Sequence, residues 1–150
     1  MAKFFYKMQN ILDIKLKLET QAKNEFAIAN AELAAEEEKL NDLAKRQASY
    51  EEKLKLLYQN ELKINEINET ANAVEVMKYH KNIQMVNVKN AKRKVEIARA
   101  KLQDAIQERK THEKLKENAF EEFMAEVAAG ESKEIDELVS YRHGQSSNEV

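Results

Sequence analysis

Proline, cysteine and tryptophan are absent from the 150 residues, and glycine occurs only at positions 130 and 144. Without cysteine there are no disulfides and no thiolate metal sites, a usage that suits a cytosolic chain. Two isolated glycines cannot build a phosphate-cradling loop, and a chain this poor in turn residues has little chance of forming a compact sheet domain. No stretch approaches the ~20 apolar residues of a membrane span. The opening Met1-Ala2-Lys3-Phe4-Phe5-Tyr6, soon interrupted by Lys7 and Asp13, lacks the apolar core and cleavage site of a secretory signal. With 25 basic and 27 acidic residues the net charge is −2, so no global field draws the chain to nucleic acid or an acidic membrane.

What is present is charge, at 35% of residues, set in an Ala/Glu/Lys/Leu-rich background. That composition belongs to long helices and coiled coils. Phe26, Ala29, Leu33, Glu36, Leu40, Leu43, Gln47, Tyr50, Leu54, Leu57, Glu61 and Ile64 follow alternating steps of three and four, and nine of these twelve are apolar. This is the 3.5-residue period of a coiled-coil seam. Carried backwards, the register meets Ala22, Glu19, Lys15, Leu12, Met8 and Phe5. So narrow an apolar stripe does not stabilise a lone helix, and a partner helix is required. The first helix is expected over residues 3–66. At its start Phe4, Phe5, Met8, Ile11, Leu12, Ile14, Leu16 and Leu18 exceed what one seam needs, which marks either packing against the other terminus or a docking surface.

Asn65, Asn68, Thr70 and Asn72 cluster where side chains compete with helical hydrogen bonds, so a reversal is expected at about 65–72, capped by Asn68 or Thr70. A second helix over 71–129 has its own seam in Val88, Ala91, Val95, Ala98, Leu102 and Ala105. A turn near 70 would set residue i opposite about 140 − i, with Lys89, Lys92, Arg93, Lys94, Arg99 and Lys101 along Glu36, Glu37, Glu38, Glu51 and Glu52. Arg109, His112 and Lys116 fall on the seam's continuation, with Lys15 and Glu19 off-pattern opposite. The end with the termini should therefore be less tightly zipped, or completed by another protein. Gly130 is expected to end this helix, followed by a short helical segment at 131–143 and a disordered tail at 144–150. The fold class is all-α: a long antiparallel two-helix coiled-coil hairpin with a short C-terminal helical segment, in one domain.

Catalytic machinery is not found. His80, His112 and His143 lie far apart, with no second ligand at a convincing spacing. Glu36-Glu37-Glu38 and Glu121-Glu122 read as solvated helix faces. The basic run Lys89–Lys101 lacks the interleaved aromatics of a nucleic-acid groove. No cofactor, metal site or enzymatic activity is expected.

Three segments, in order, carry a resemblance. They are Phe5-x-x-Met8-Gln9-x-Ile11-Leu12-Asp13-Ile14-Lys15 followed by Glu19; Met77-Lys78-Tyr79-His80-x-x-Ile83; and Glu131-Ser132-Lys133-Glu134-Ile135-Asp136-Glu137 followed by Arg142. Together they resemble the FliJ family of flagellar type III export proteins over essentially the whole chain. Two departures stand out: Asn10 replaces the usual basic residue after the opening Gln, and His80-Lys81-Asn82 replaces the common Gln-Gln-aromatic after Tyr79.

The resemblance implies an antiparallel helical hairpin similar to the rotor stalk of F-type ATPases. It also implies a cytoplasmic, non-enzymatic part of the flagellar export apparatus, peripherally associated with the inner membrane. The implied partners are the hexameric export ATPase, the cytoplasmic domain of the export gate, and export chaperones. Phe4, Phe5, Met8, Leu12, Phe120, Phe123, Asp136 and Glu137 would lie at the ATPase end, and Tyr79 and Ile83 on the export-gate side. A homodimeric structural coiled coil, its helix continuous through Asn65–Asn72, is the alternative.

Overall fold

The computed structural model describes residues 2–148, with side chains through Gln145. Two helices make up nearly all of it: α1, Gln9–Gln59, and α2, Ile64–Asn148. No strand occurs among the described residues. The protein is all-helical, as its composition and period require, and its two long helices are consistent with a helical hairpin.

The chain divides into two compact units. One comprises residues 20–104. Its core joins Ala29 of α1 to Val95 and Ala98 of α2, with Phe26 and Leu33 packed alongside. The Arg99 guanidinium lies 5.5 Å from the Phe26 ring centroid. The Gln84 amide donates to the Glu36 backbone carbonyl at 2.8 Å and to the Glu36 carboxylate. Partner numbers on α2 thus fall as α1 numbers rise. Apart from Ala44, the buried and half-buried positions of α1 in this unit, Ala22, Phe26, Ala29, Leu33, Glu36, Leu40, Leu43, Gln47, Leu54 and Leu57, follow the seam read from the sequence, whereas Tyr50, Glu61 and Ile64, also expected in it, are exposed. On α2 the same alternation runs through Ile67, Thr70, Val74, Met77, Lys81, Gln84, Val88, Ala91, Val95, Ala98 and Leu102. Small residues Ala29, Ala91 and Ala98 among the larger ones let these surfaces approach closely.

The reversal lies at residues 60–63, not at 65–72, and α1 ends at Gln59 rather than at 66. Asn65, Asn68, Thr70 and Asn72 are helical, and the first hydrogen bond of α2 runs from the Ile67 amide to the Lys63 carbonyl. Helix propensity is a preference of at most ~0.7 kcal/mol per ordinary residue, and burial of Thr70 and Val74 on the seam overrides it. Glu66, in the first turn of α2, favours the positive end of the helix dipole. The pairing register shifts with the turn: Gln84, not a residue near 104, meets Glu36. That shift removes the expected alignment of Lys89–Lys101 with Glu51 and Glu52, although Lys94 still acts electrostatically on Glu36.

The other unit comprises residues 1–19 and 105–150. Here α1 starts at Gln9 instead of residue 3, because Phe4 docks on α2 from a non-helical segment. Gly130 does not end α2, and 131–143 is the same helix rather than a separate one. Glycine weakens a helix interior by about 1 kcal/mol relative to alanine, which its helix-forming neighbours absorb. The helix also takes in 144–148 of the expected tail; Glu149 and Val150 lie outside the described residues.

Candidate partner-binding surfaces

The first surface is built where α1 begins. Residues 3–6 are non-helical, and the chain turns at Lys7-Met8 with the Gln9 amide bonded to the Tyr6 carbonyl at 3.2 Å. This segment carries the Phe4 ring onto α2, 5.2 Å from the Phe120 centroid in an edge-on contact and 5.4 Å from Phe123. Tyr6 stacks on Phe4 at 6.5 Å. Phe5 points the other way and is 82% exposed, and Met8 is exposed too. The register that predicted Phe5 and Met8 in the seam therefore holds only as far as Leu12, which is buried. Grooves of about 400 and 450 Å³ flank Phe4. One is lined by Phe5, Lys7, Ala119 and Phe123, the other by Leu12, Lys116 and Phe120.

Of the residues expected at this end, Phe4, Phe120 and Phe123 form one aromatic cluster. Leu12 lines a flanking groove, while Phe5 and Met8 stand outward. Asp136 and Glu137 lie farther along α2, exposed. Beside them Ile135, Leu138, Val139 and Tyr141 are also exposed, a group of apolar side chains that sequence reasoning missed. Tyr6 was missed as well; its alternation with Phe4 and Phe5 was the available signal.

Behind the aromatic cluster the seam turns polar. Arg109 pairs with Glu19, which is only 6% exposed, and Arg109 Nη1 contacts Glu113 at 2.9 Å. Lys15 pairs with Glu108 at 3.3 Å, and His112 Nε2 lies 3.8 Å from Glu108. The His112 Nδ1 atom is buried without a hydrogen-bond partner. Burial works to lower the Arg109 pKa, but the Glu19 hydrogen bond and the Glu113 and Glu19 charges outweigh it and hold the guanidinium above its ordinary value. Of the off-pattern polar residues noted in the sequence, Glu19 and Arg109 face each other as a matched pair, while Lys15 is matched by Glu108, which the sequence reading did not name.

The second surface lies on α2 in the 20–104 unit. Tyr79 is 64% exposed, and Ile83, one helical turn on, is exposed as well. Val76 and Val86, also exposed, extend them into steps of three, four and three, which places all four on one helix face. Sequence reasoning named only Tyr79 and Ile83, although the spacing held the rest. His80 lies 5.7 Å from the Tyr79 ring.

Among the described residues no group of three or more His, Asp or Glu side chains could hold a metal ion. Among them, too, no helix is long and apolar enough to cross a membrane.

No curated protein and no solved structure matches the chain. The family described as "Flagellar FliJ protein" matches residues 4–148, which takes in both surfaces and the whole of both helices. The chain belongs to the FliJ family of flagellar proteins.

Proposed function

We propose that the protein is a non-enzymatic stalk and adaptor of the flagellar type III export apparatus. Family membership carries the export-related role; the partners and the mechanism are our reading. In it, α1 and α2 act as an antiparallel coiled-coil hairpin whose aromatic end enters the hexameric export ATPase. The α2 face around Tyr79 and Ile83 engages the cytoplasmic domain of the export gate, and the protein assists export-chaperone traffic. It works in the cytoplasm, peripherally associated with the inner-membrane apparatus.

The observation that most supports an ATPase-facing end is the exposure of Phe5 and Met8 beside the Phe4–Phe120–Phe123 cluster. Outward aromatic and methionine side chains are the residue types that anchor protein interfaces. The fit to a stalk is mechanical as well. A paired-helix body stiffens the element, while the exposed Phe5 and Met8 supply side chains that the described residues leave open to a partner.

The test is capture of the export ATPase from the same organism by the purified full chain, scored with hydrolysis and ring assembly. Phe5→Asp and Met8→Asp should weaken capture about tenfold or more and leave helicity unchanged. Affinity unaltered in both variants would remove this end from the interface, and no capture by a competent ATPase would overturn the stalk reading.

A further inference from the structure

We infer that residues 3–8 form a two-state strap, which exchanges Phe4 for Phe5 on α2 as it passes from the observed non-helical form to a helical extension of α1. Two patterns are written into this one segment. The observed form buries alternate residues: Phe4 and Tyr6 are half-buried and Phe5 between them is exposed. The heptad of α1 specifies something else. Counting back from buried Leu12 by four and three reaches Met8 and Phe5, with Phe4 turned about 100° away.

The receiving surface suits both forms. On α2, Lys116, Ala119 and Phe123 continue the three–four alternation and are half-buried. Phe4 reaches Phe120 and Phe123 from the side. A helical Phe5 would meet Ala119 and Phe123 along the seam itself.

Nothing local stops α1 at Gln9. Residues 2–8 contain no Ser, Thr, Asp, Asn, Gly or Pro, the types that cap or break helices. The N-terminal flanking position is Met8, whose carbonyl accepts from Ile11 and Leu12 at 3.1 Å while its side chain caps nothing. The helix start is therefore held by the docking of one aromatic ring, not by a capping residue. Removing that docking leaves a segment free to extend the helix by one to two turns.

The consequence is a control on presentation. Phe5 and Met8 face outward only in the strap form, so Phe4 determines what a partner at this end meets without needing to touch it. That consequence rests on the partner-binding reading above; the exchange itself does not.

Solution NMR of the free full chain tests the exchange. In the unaltered protein, secondary shifts of residues 3–6 should be non-helical, with cross-relaxation between the Phe4 and Phe120 rings. In Phe4→Ala, residues 4–8 should acquire helical shifts, and Phe5 should contact Ala119 and Phe123. Phe120→Ala, which removes one wall of the Phe4 site, should move the shifts the same way. The Phe4→Ala/Phe5→Ala double variant should lose the new helicity. Random-coil shifts at 3–8 in both single variants, helicity retained in the double variant, or a helical segment already present in the unaltered protein would each overturn the inference. Because no partner is present, failure of the ATPase reading does not affect the outcome.

Discussion

Val95 sits at 4% exposure in the core formed with Ala29 and Ala98, while Ile97, two residues on, is 53% exposed on another face of α2. Replacing each by alanine separates burial from helix propensity. Val95→Ala removes two buried carbon groups, worth about 0.8 kcal/mol each, or about 1.6 kcal/mol. Incomplete collapse of the space beside Phe26 and Leu33 adds to that cost. Alanine is the better helix former by about 0.5 kcal/mol, which offsets part of the loss. The net destabilisation is about 1.5–2 kcal/mol. For a chain of this length that lowers Tm by about 3–8 °C. Ile97→Ala loses less burial and gains the same propensity, so it should stay within about 0.5 kcal/mol of the parent. Thermal and urea unfolding followed by circular dichroism at 222 nm measure both variants. Equal shifts for the two, or a larger loss at Ile97, would refute the assignment of Val95 to the seam.

Two further predictions concern the polar positions. Arg109→Met removes the guanidinium from nearly buried Glu19 and should lower the urea midpoint. The double variant Glu19→Leu/Arg109→Met should recover most of that loss, because an apolar pair of similar volume removes the nearly buried carboxylate together with the cation that matches it; further loss in the double variant would count against a matched pair. The hydrogen bond from Gln84, opposed by burial and aided by Lys39 and Lys94, holds the Glu36 carboxyl below its usual 4.5. A depressed folded-state pKa contributes stability that is present above pH 4.5 and is lost as pH falls through the lower folded value. Gln84→Leu should flatten that acid dependence in a Tm series from pH 6 to pH 3, and parallel curves would disprove the link.

Much of the fold was legible because its signal is periodic. The α1 seam from Leu12 to Leu57 was readable at every position but Tyr50, which is exposed, since 3.5-residue spacing has one structural meaning over so many turns. The polar members were readable as positions but not as partners. Lys15 and Glu19 appeared off-pattern until α2 placed Glu108 and Arg109 against them. The candidate surfaces were legible in part for the same reason. Phe120 and Phe123 stood out as apolar residues beyond the seam, Tyr79 and Ile83 were named only through the family resemblance, and the exchange of Phe4 for Phe5 depends on a tertiary contact.

By itself the sequence determined an all-helical protein, most of the α1 seam, the stretch of the α2 seam from Val88 to Leu102, and the family to which the chain belongs. Composition and period act locally, so they are fixed before any long-range contact forms. Only the tertiary structure decided where the chain reverses, which residue of α2 meets which of α1, that Gly130 stays helical, and which aromatic of the opening segment is buried. Each of those outcomes is a competition between weak local preferences of about 1 kcal/mol or less and the burial of side chains on a partner helix. The partner's register must exist before that burial can settle the competition.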